Sequence, residues 1–258
     1  MFFNTNINFF NVIYALFLRE IQTRFGSKKM GYFWAIVEPS VQIAVFLVLK
    51  VFIFQTSMPG VDFAVFLASG FIAYNLFKNL VINSMGAFES NQALFIYAQV
   101  RPIHTLFARF LVEFLIFIFV SIFFLTIGWY FHTEIIPDNL LNVILAILWF
   151  ALFGFSLGLL FTIIGSFYET FRKIINLIFT PMLFLSALFY TVDQLPENAR
   201  EYILYNPIVH FVELIHGSYI DVLHIDYVDF RYMFFWTVIP LFLGLYFYIK
   251  SERKIQST

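Results

Sequence analysis

The chain has no cysteine among its 258 residues, so disulfides, thiol nucleophiles and thiolate metal ligands are all excluded. It is also short of charge. Only 12% of residues are Asp, Glu, Lys or Arg, against about 25% in an average soluble domain. No G-x-x-x-x-G-K-[ST] phosphate loop is present, which excludes nucleotide hydrolysis by that route, and no H-E-x-x-H zinc motif occurs. A cleavable signal is not expected: Arg19, the first basic residue, follows the first apolar residues, and no A-x-A site comes after it.

What is present is apolar. Hydrophobic residues make up 61% of the chain and 39 residues are phenylalanine. Six stretches are long enough to cross a bilayer, at about 34–54, 61–82, 104–131, 141–165, 174–191 and 232–249. A hydrocarbon core about 30 Å thick requires roughly 20 residues of helix. Within lipid the backbone must satisfy its own hydrogen bonds, so each stretch is expected to be helical. The fold class is therefore all-α, a polytopic membrane protein in which little length remains for a soluble domain.

Basic residues fall unevenly between the two sides. One side holds Arg19, Arg24, Lys28, Lys29, Arg101, Arg109, Arg172, Lys173, Lys250, Arg253 and Lys254; the other holds Arg200 and Arg231. Lys50 and Lys78 lie near helix ends, where they can snorkel to water. Positive residues mark the cytoplasmic side, so both termini are expected there. Trp34, Trp129 and Tyr130 fall at span ends, as interfacial aromatics do.

Residues 7–25 read as a helix in the interface plane. Phe10, Ile13, Phe17 and Ile21 recur at helical spacing, opposite Asn8, Asn11, Arg19 and Gln22. Glu20 and Arg24 are four apart, the favourable order for an ion pair. Such a helix anchors the chain or guides a substrate or partner.

Segment 192–231 holds apolar pieces too short to cross. Asn206-Pro207 is an N-cap with proline at the first helical position. It opens a helix from Ile208 to about His216, stopped by Gly217, and Leu195-Pro196-Glu197 opens another. Two broken helices in a row suggest re-entrant structure at the outer mouth of a cavity, or helices lying flat on the membrane.

His210, Glu213 and His216 share part of one helical face, but the second motif of a di-metal site is absent, so no metal is expected. The stripe Ala151, Gly154, Gly158, Thr162 and Gly165 permits close helix approach, within the chain or in a dimer. Aromatic side chains suit a sugar conduit, although core packing or lipid contact explains most single phenylalanines. Glu38-Pro39 inside the first span marks a hinge or a hydrated cavity. Arg109 and Glu113 are placed to pair with each other. Between the second and third spans, Gly86 to Phe95 has a short amphipathic pattern suited to docking a partner.

Leu18-Arg19-Glu20-Ile21-Gln22-Thr23-Arg24-Phe25-Gly26 followed by Gly31-Tyr32-Phe33-Trp34-Ala35-Ile36-Val37-Glu38-Pro39 resembles the membrane subunit of capsular polysaccharide ABC exporters, of the ABC-2 permease class. The resemblance continues through Met58-Pro59, Gly86 to Phe95, Arg101-Pro102-Ile103 and Asn206 to Leu214. It implies a homodimer that binds two copies of a separate ATPase, with ATP-Mg on that partner and no cofactor in this chain. It further implies that lipid-linked polysaccharide crosses the inner membrane of a Gram-negative cell to periplasmic and outer-membrane export proteins, without nucleic acid. Glu89, Ser90, Asn91 and Gln92 match the family's coupling helix, with Phe88 and Leu94 expected to fill an apolar cleft of the ATPase. The family's anionic substrates suggest attraction of the lipid head by Arg24, Lys28 and Lys29. O-antigen and teichoic-acid exporters share the class. A membrane-embedded glycosyl- or acyltransferase would need a coherent acid or His cluster, and a passive channel would need no docking helix.

Overall fold

The computed structural model describes residues 9–26, 31–49, 60–133, 135–137 and 139–257. Among these residues the chain is entirely helical, without a strand. Helix α1 spans Phe9–Ile21 and passes into a π-helical turn at Gln22–Gly26. It is followed by α2 (Gly31–Leu49) and α3 (Phe63–Met85), then a 3-10 segment at Glu89–Ile96. Next come α4 (Pro102–Tyr130), α5 (Leu140–Phe167) and α6 (Glu169–Phe184). Helices α7 (Glu197–Ile203), α8 (Pro207–Tyr219) and α9 (Phe230–Ser257) complete the chain.

Four of these helices are long and apolar enough to cross a membrane: α3, α4, α5 and α9. Helix α2 is apolar from Ile36 to Leu49, and the remainder of the first expected stretch, 50–54, lies outside the described residues. The expected span at 174–191 departs from its prediction. Its helix starts earlier, at Glu169, and stops at Phe184. Sixteen residues reach about 24 Å, short of the hydrocarbon thickness. Ala187 beyond it takes a left-handed conformation with φ 55°, which ends helical continuity.

Helix α3 lies at the centre, packed on α5 and also touching α2, α4, α6 and α8. Phe66, Phe71, Tyr74 and Phe77 along it are fully enclosed. Phe77 stacks on Phe150 and Phe153 of α5 at 4.6 and 5.1 Å. Phe211 of α8 stacks on the same pair at 5.1 and 5.0 Å. These rings therefore form a core rather than a conduit wall. The α5 glycine stripe serves packing within the chain. A Cβ on Gly158 would stand 2.9 Å from the Leu80 carbonyl oxygen, and one on Gly154 would stand 3.2 Å from Phe77 and Leu80.

Helix α1 rests on protein. Val12 and Leu16 pack against Ala108 of α4, and Ile13 is also buried. Phe10, on the apolar face expected from the sequence, is exposed. Helix α8 begins as its sequence predicts, with the Asn206 side-chain oxygen accepting from the Ile208 N–H at 3.0 Å and Pro207 in the first turn. It does not stop at Gly217. The helix continues to Tyr219, and Gly217 instead makes room for Ile225, whose Cγ2 would lie 2.4 Å from an added Cβ.

Candidate functional site

At the basic end of the bundle, charged groups from α1, α4 and α6 and the Asn83 amide of α3 gather around the 3-10 segment. Arg24 lies in the π-helical turn that follows α1. Arg24 Nε lies 3.1 Å from Glu20, which realises the predicted pair, and its other arm reaches Glu113 of α4. Arg109 does not take Glu113 as its partner. Its Nε lies 3.3 Å from Glu20, and its terminal nitrogens donate to the Asn83 carbonyl and the Ser90 hydroxyl. Asn83 closes the circuit by donating to Glu113 at 2.7 Å. Burial works against the Arg24 charge, yet Glu113 and Glu20 outweigh it and hold the guanidinium above its ordinary range. Glu113 is only 3% exposed, which its paired surroundings make tolerable.

The segment at Glu89–Ile96 is thus held from three sides. Arg19 donates to the Asn91 side chain at 2.7 Å, Arg109 to Ser90, and Arg172 of α6 pairs with Glu89. Asn91 also donates to the Ala87 carbonyl at 2.8 Å. Phe88 is 3% exposed within the chain's own core, alongside Ala87 and Phe95, and Leu94 is half-buried near Val12 and Leu16. The faces offered outward belong instead to Glu89, Gln92, Ile96 and Tyr97, with Ile96 86% and Tyr97 65% exposed. This charged, polar end thus carries two bare apolar side chains. The arginine tethers escaped sequence reading because they join positions as much as 83 residues apart.

Glu38 and Pro39 line a cavity of ≈ 420 Å³ between α2, α3 and α4, together with Arg24, Asn83 and Glu113. Glu38 is paired with Lys78 of α3 at 2.6 Å, and Pro39 lies inside an unbroken α2. Lys28 and Lys29 lie outside the described residues.

On the opposite end, the His/Glu trio of α8 diverges. His210 Nε2 lies 2.9 Å from the Leu204 carbonyl, while its Nδ1 accepts from the Asp229 N–H at 3.1 Å. Glu213 accepts from the Val192 N–H at 2.9 Å, and His216 stacks on Phe66 at 3.9 Å. Burial pushes the Glu213 carboxyl up to about 7 despite that hydrogen bond. Among the described residues no three such side chains are grouped to hold a metal ion. The trio pins α8 to its neighbours.

Several apolar helices able to span a bilayer, tied at one end into a structured charged connection, define a multi-pass membrane protein. The chain belongs to the ABC-2 type transporter family, whose model matches residues 11–220. It is similar to the polysialic acid transport protein KpsM of Escherichia coli, 35% identical over 93% of each chain. The capsule polysaccharide export inner-membrane protein CtrC of Neisseria meningitidis is 28% identical, over 95% of this chain and 92% of that one. For the corresponding protein BexB of Haemophilus influenzae the identity is 27%, over 91% and 88%.

Proposed function

We propose that this chain is the membrane-spanning subunit of an ATP-driven exporter of lipid-linked capsular polysaccharide in the inner membrane of a Gram-negative bacterium. The observation that carries this reading is the likeness to a polysialic acid transport protein along 93% of both chains. The two further relatives are named for capsule polysaccharide export and support the same cargo.

In this reading residues 1–258 form one ABC-2 type transmembrane domain that crosses six times. The crossings contain α2, α3, α4, α5, α6 with the residues up to 191, and α9. Helix α1 lies at the inner interface, docked on α4. Segment 192–231 lies outside as re-entrant structure, and the 13 residues of α8 reach only about 20 Å. Both termini are cytoplasmic, which the Lys and Arg distribution supports. Two copies pair as a homodimer. Two copies of a separate ATPase, which holds ATP-Mg, contact the 3-10 segment, and the bare Ile96 and Tyr97 support a partner there. Lys28 and Lys29 draw in the anionic lipid head, whereas Arg24 is engaged by Glu20 and Glu113. The polymer then passes to periplasmic and outer-membrane export proteins.

The test combines deletion with purification. Removing the chain abolishes surface capsule, restoring it returns the capsule, and the tagged chain brings down an ATPase subunit. Capsule that persists in the deletion strain overturns the reading, and loss of O-antigen in place of capsule reassigns the cargo.

A further inference from the structure

Helix α3 is apolar along most of its length, yet it carries Asn75, Asn79 and Asn83. Residues four apart share a helix face. Eight positions spread these amides over about 12 Å along the axis. All three line the ≈ 420 Å³ cavity between α2, α3 and α4. A polar side chain in a membrane helix is costly unless it finds a partner or serves a ligand.

Two of the three have bonding capacity to spare. Asn83 uses its amide on Glu113 at 2.7 Å. Asn75 donates to the Gln42 side chain at 3.0 Å, but its own oxygen is buried without a partner in a residue only 8% exposed. Asn79 makes no hydrogen bond among the described residues. Asn79 therefore offers a free amide to this space, with the unpaired Asn75 oxygen enclosed beside it. Trp34, an exposed aromatic, lines it as well. Amides bond hydroxyls in both directions, and an indole face packs on C–H groups. The charged groups in the wall are already matched: Arg24 to Glu113, and Glu38 to Lys78. Nothing in that charge pattern favours a phosphate or a carboxylate, whereas an uncharged hydroxylated ligand meets the free Asn79 amide.

We infer that this cavity binds a short neutral stretch of glycan, with a sugar hydroxyl on the Asn79 amide and a ring against Trp34. The inference rests on the export reading and adds where the glycan is held. Asn83 lends the site a route to the docking segment. Its side chain bonds Glu113, while its carbonyl accepts from Arg109, which also holds Ser90. A ligand beside Asn83 thus lies two bonds from the surface that meets the partner.

The cysteine-free chain permits a direct test in the capsule-producing strain. Asn79→Cys in the full-length chain is labelled with a benzophenone maleimide and irradiated, in cells with and without polymer synthesis. A glycan-bearing adduct is expected only in polymer-making cells, and none from Phe242→Cys, which is exposed on α9. Asn79→Leu should lower export about three- to tenfold at unchanged protein level, the loss of one hydrogen bond, and Asn79→Gln should lower it less. If export depends on the chain but Asn79→Cys gives no adduct above the α9 control, the cavity holds water or lipid and this inference alone falls. If surface glycan persists without the chain, the export reading falls and takes the inference with it.

Discussion

The Arg19 guanidinium donates to the Asn91 side-chain oxygen at 2.7 Å, across 72 positions of sequence. This one bond joins α1 to the connection between α3 and α4. It gives the approach of the two elements a charge-assisted tether, worth about 1.5–3 kcal/mol when well formed.

Removing either end of the tether should therefore have one shared effect. Arg19→Ala and Asn91→Ala are each expected to weaken ATPase co-purification about five- to tenfold, and the double variant should be little worse than either. Effects that simply add would show that the two residues act separately.

The contact surface should map to the outward residues of the same segment. Tyr97→Ala and Ile96→Asp are expected to reduce ATPase association about tenfold while the chain keeps its thermal stability. Phe88→Ala should behave differently, since Phe88 is enclosed in the chain's own core. It should lower stability by about 3–5 kcal/mol. Measuring melting temperature beside co-purification separates the two; a stable Phe88→Ala that loses the ATPase would reverse the assignment.

Gly158 faces the Leu80 carbonyl and the short Ser84 side chain of α3, so the smallest addition there is resisted. Gly158→Ala is expected to cost about 1–3 kcal/mol, seen as lower yield and an earlier melt in detergent. A wild-type melting curve for that variant would mean that α5 shifts without penalty.

Glu213 gives a pH dependence whose sign is fixed by burial. Its carboxyl is raised from 4.5 to about 7. Its stabilising contribution is thus fully present below pH 4.5 and lost as pH rises through about 7. The loss is on the order of 3 kcal/mol. Glu213→Gln keeps an acceptor for Val192 and should flatten the melting temperature between pH 5 and 8, roughly the range over which the linkage acts. An equally steep profile in the variant would assign the slope to another group.

Topology is open to single-cysteine labelling. A cysteine at Asn198, on α7, should react with an impermeant maleimide from outside the cell membrane. Reaction from the cytoplasmic side alone would invert the orientation.

The helical class and the long spans were legible because twenty apolar residues in lipid have one backbone solution. The start of α8 was legible too, since Asn206-Pro207 writes its cap into adjacent positions. Facing was not. In a soluble protein an apolar stripe points inward, but here lipid and core are equally apolar. Phe88 and Phe10 therefore read alike in sequence, although one is buried and the other exposed. The early end of α6 was hidden for the same reason, because the residues after Phe184 remain as apolar as those before it. The Asn75, Asn79 and Asn83 series did leave a signal, in its spacing of four along an apolar run.

The stack of Phe77, Phe150, Phe153 and Phe211 fuses α8 to α3 and α5. Interiors packed this closely transmit displacement instead of absorbing it. The base of α3 adjoins the 3-10 segment, through the Asn83 carbonyl held by Arg109. A push delivered there has no soft joint in which to dissipate before it reaches α8. The outer mouth would then move in step with the inner face, as the far end of a single lever.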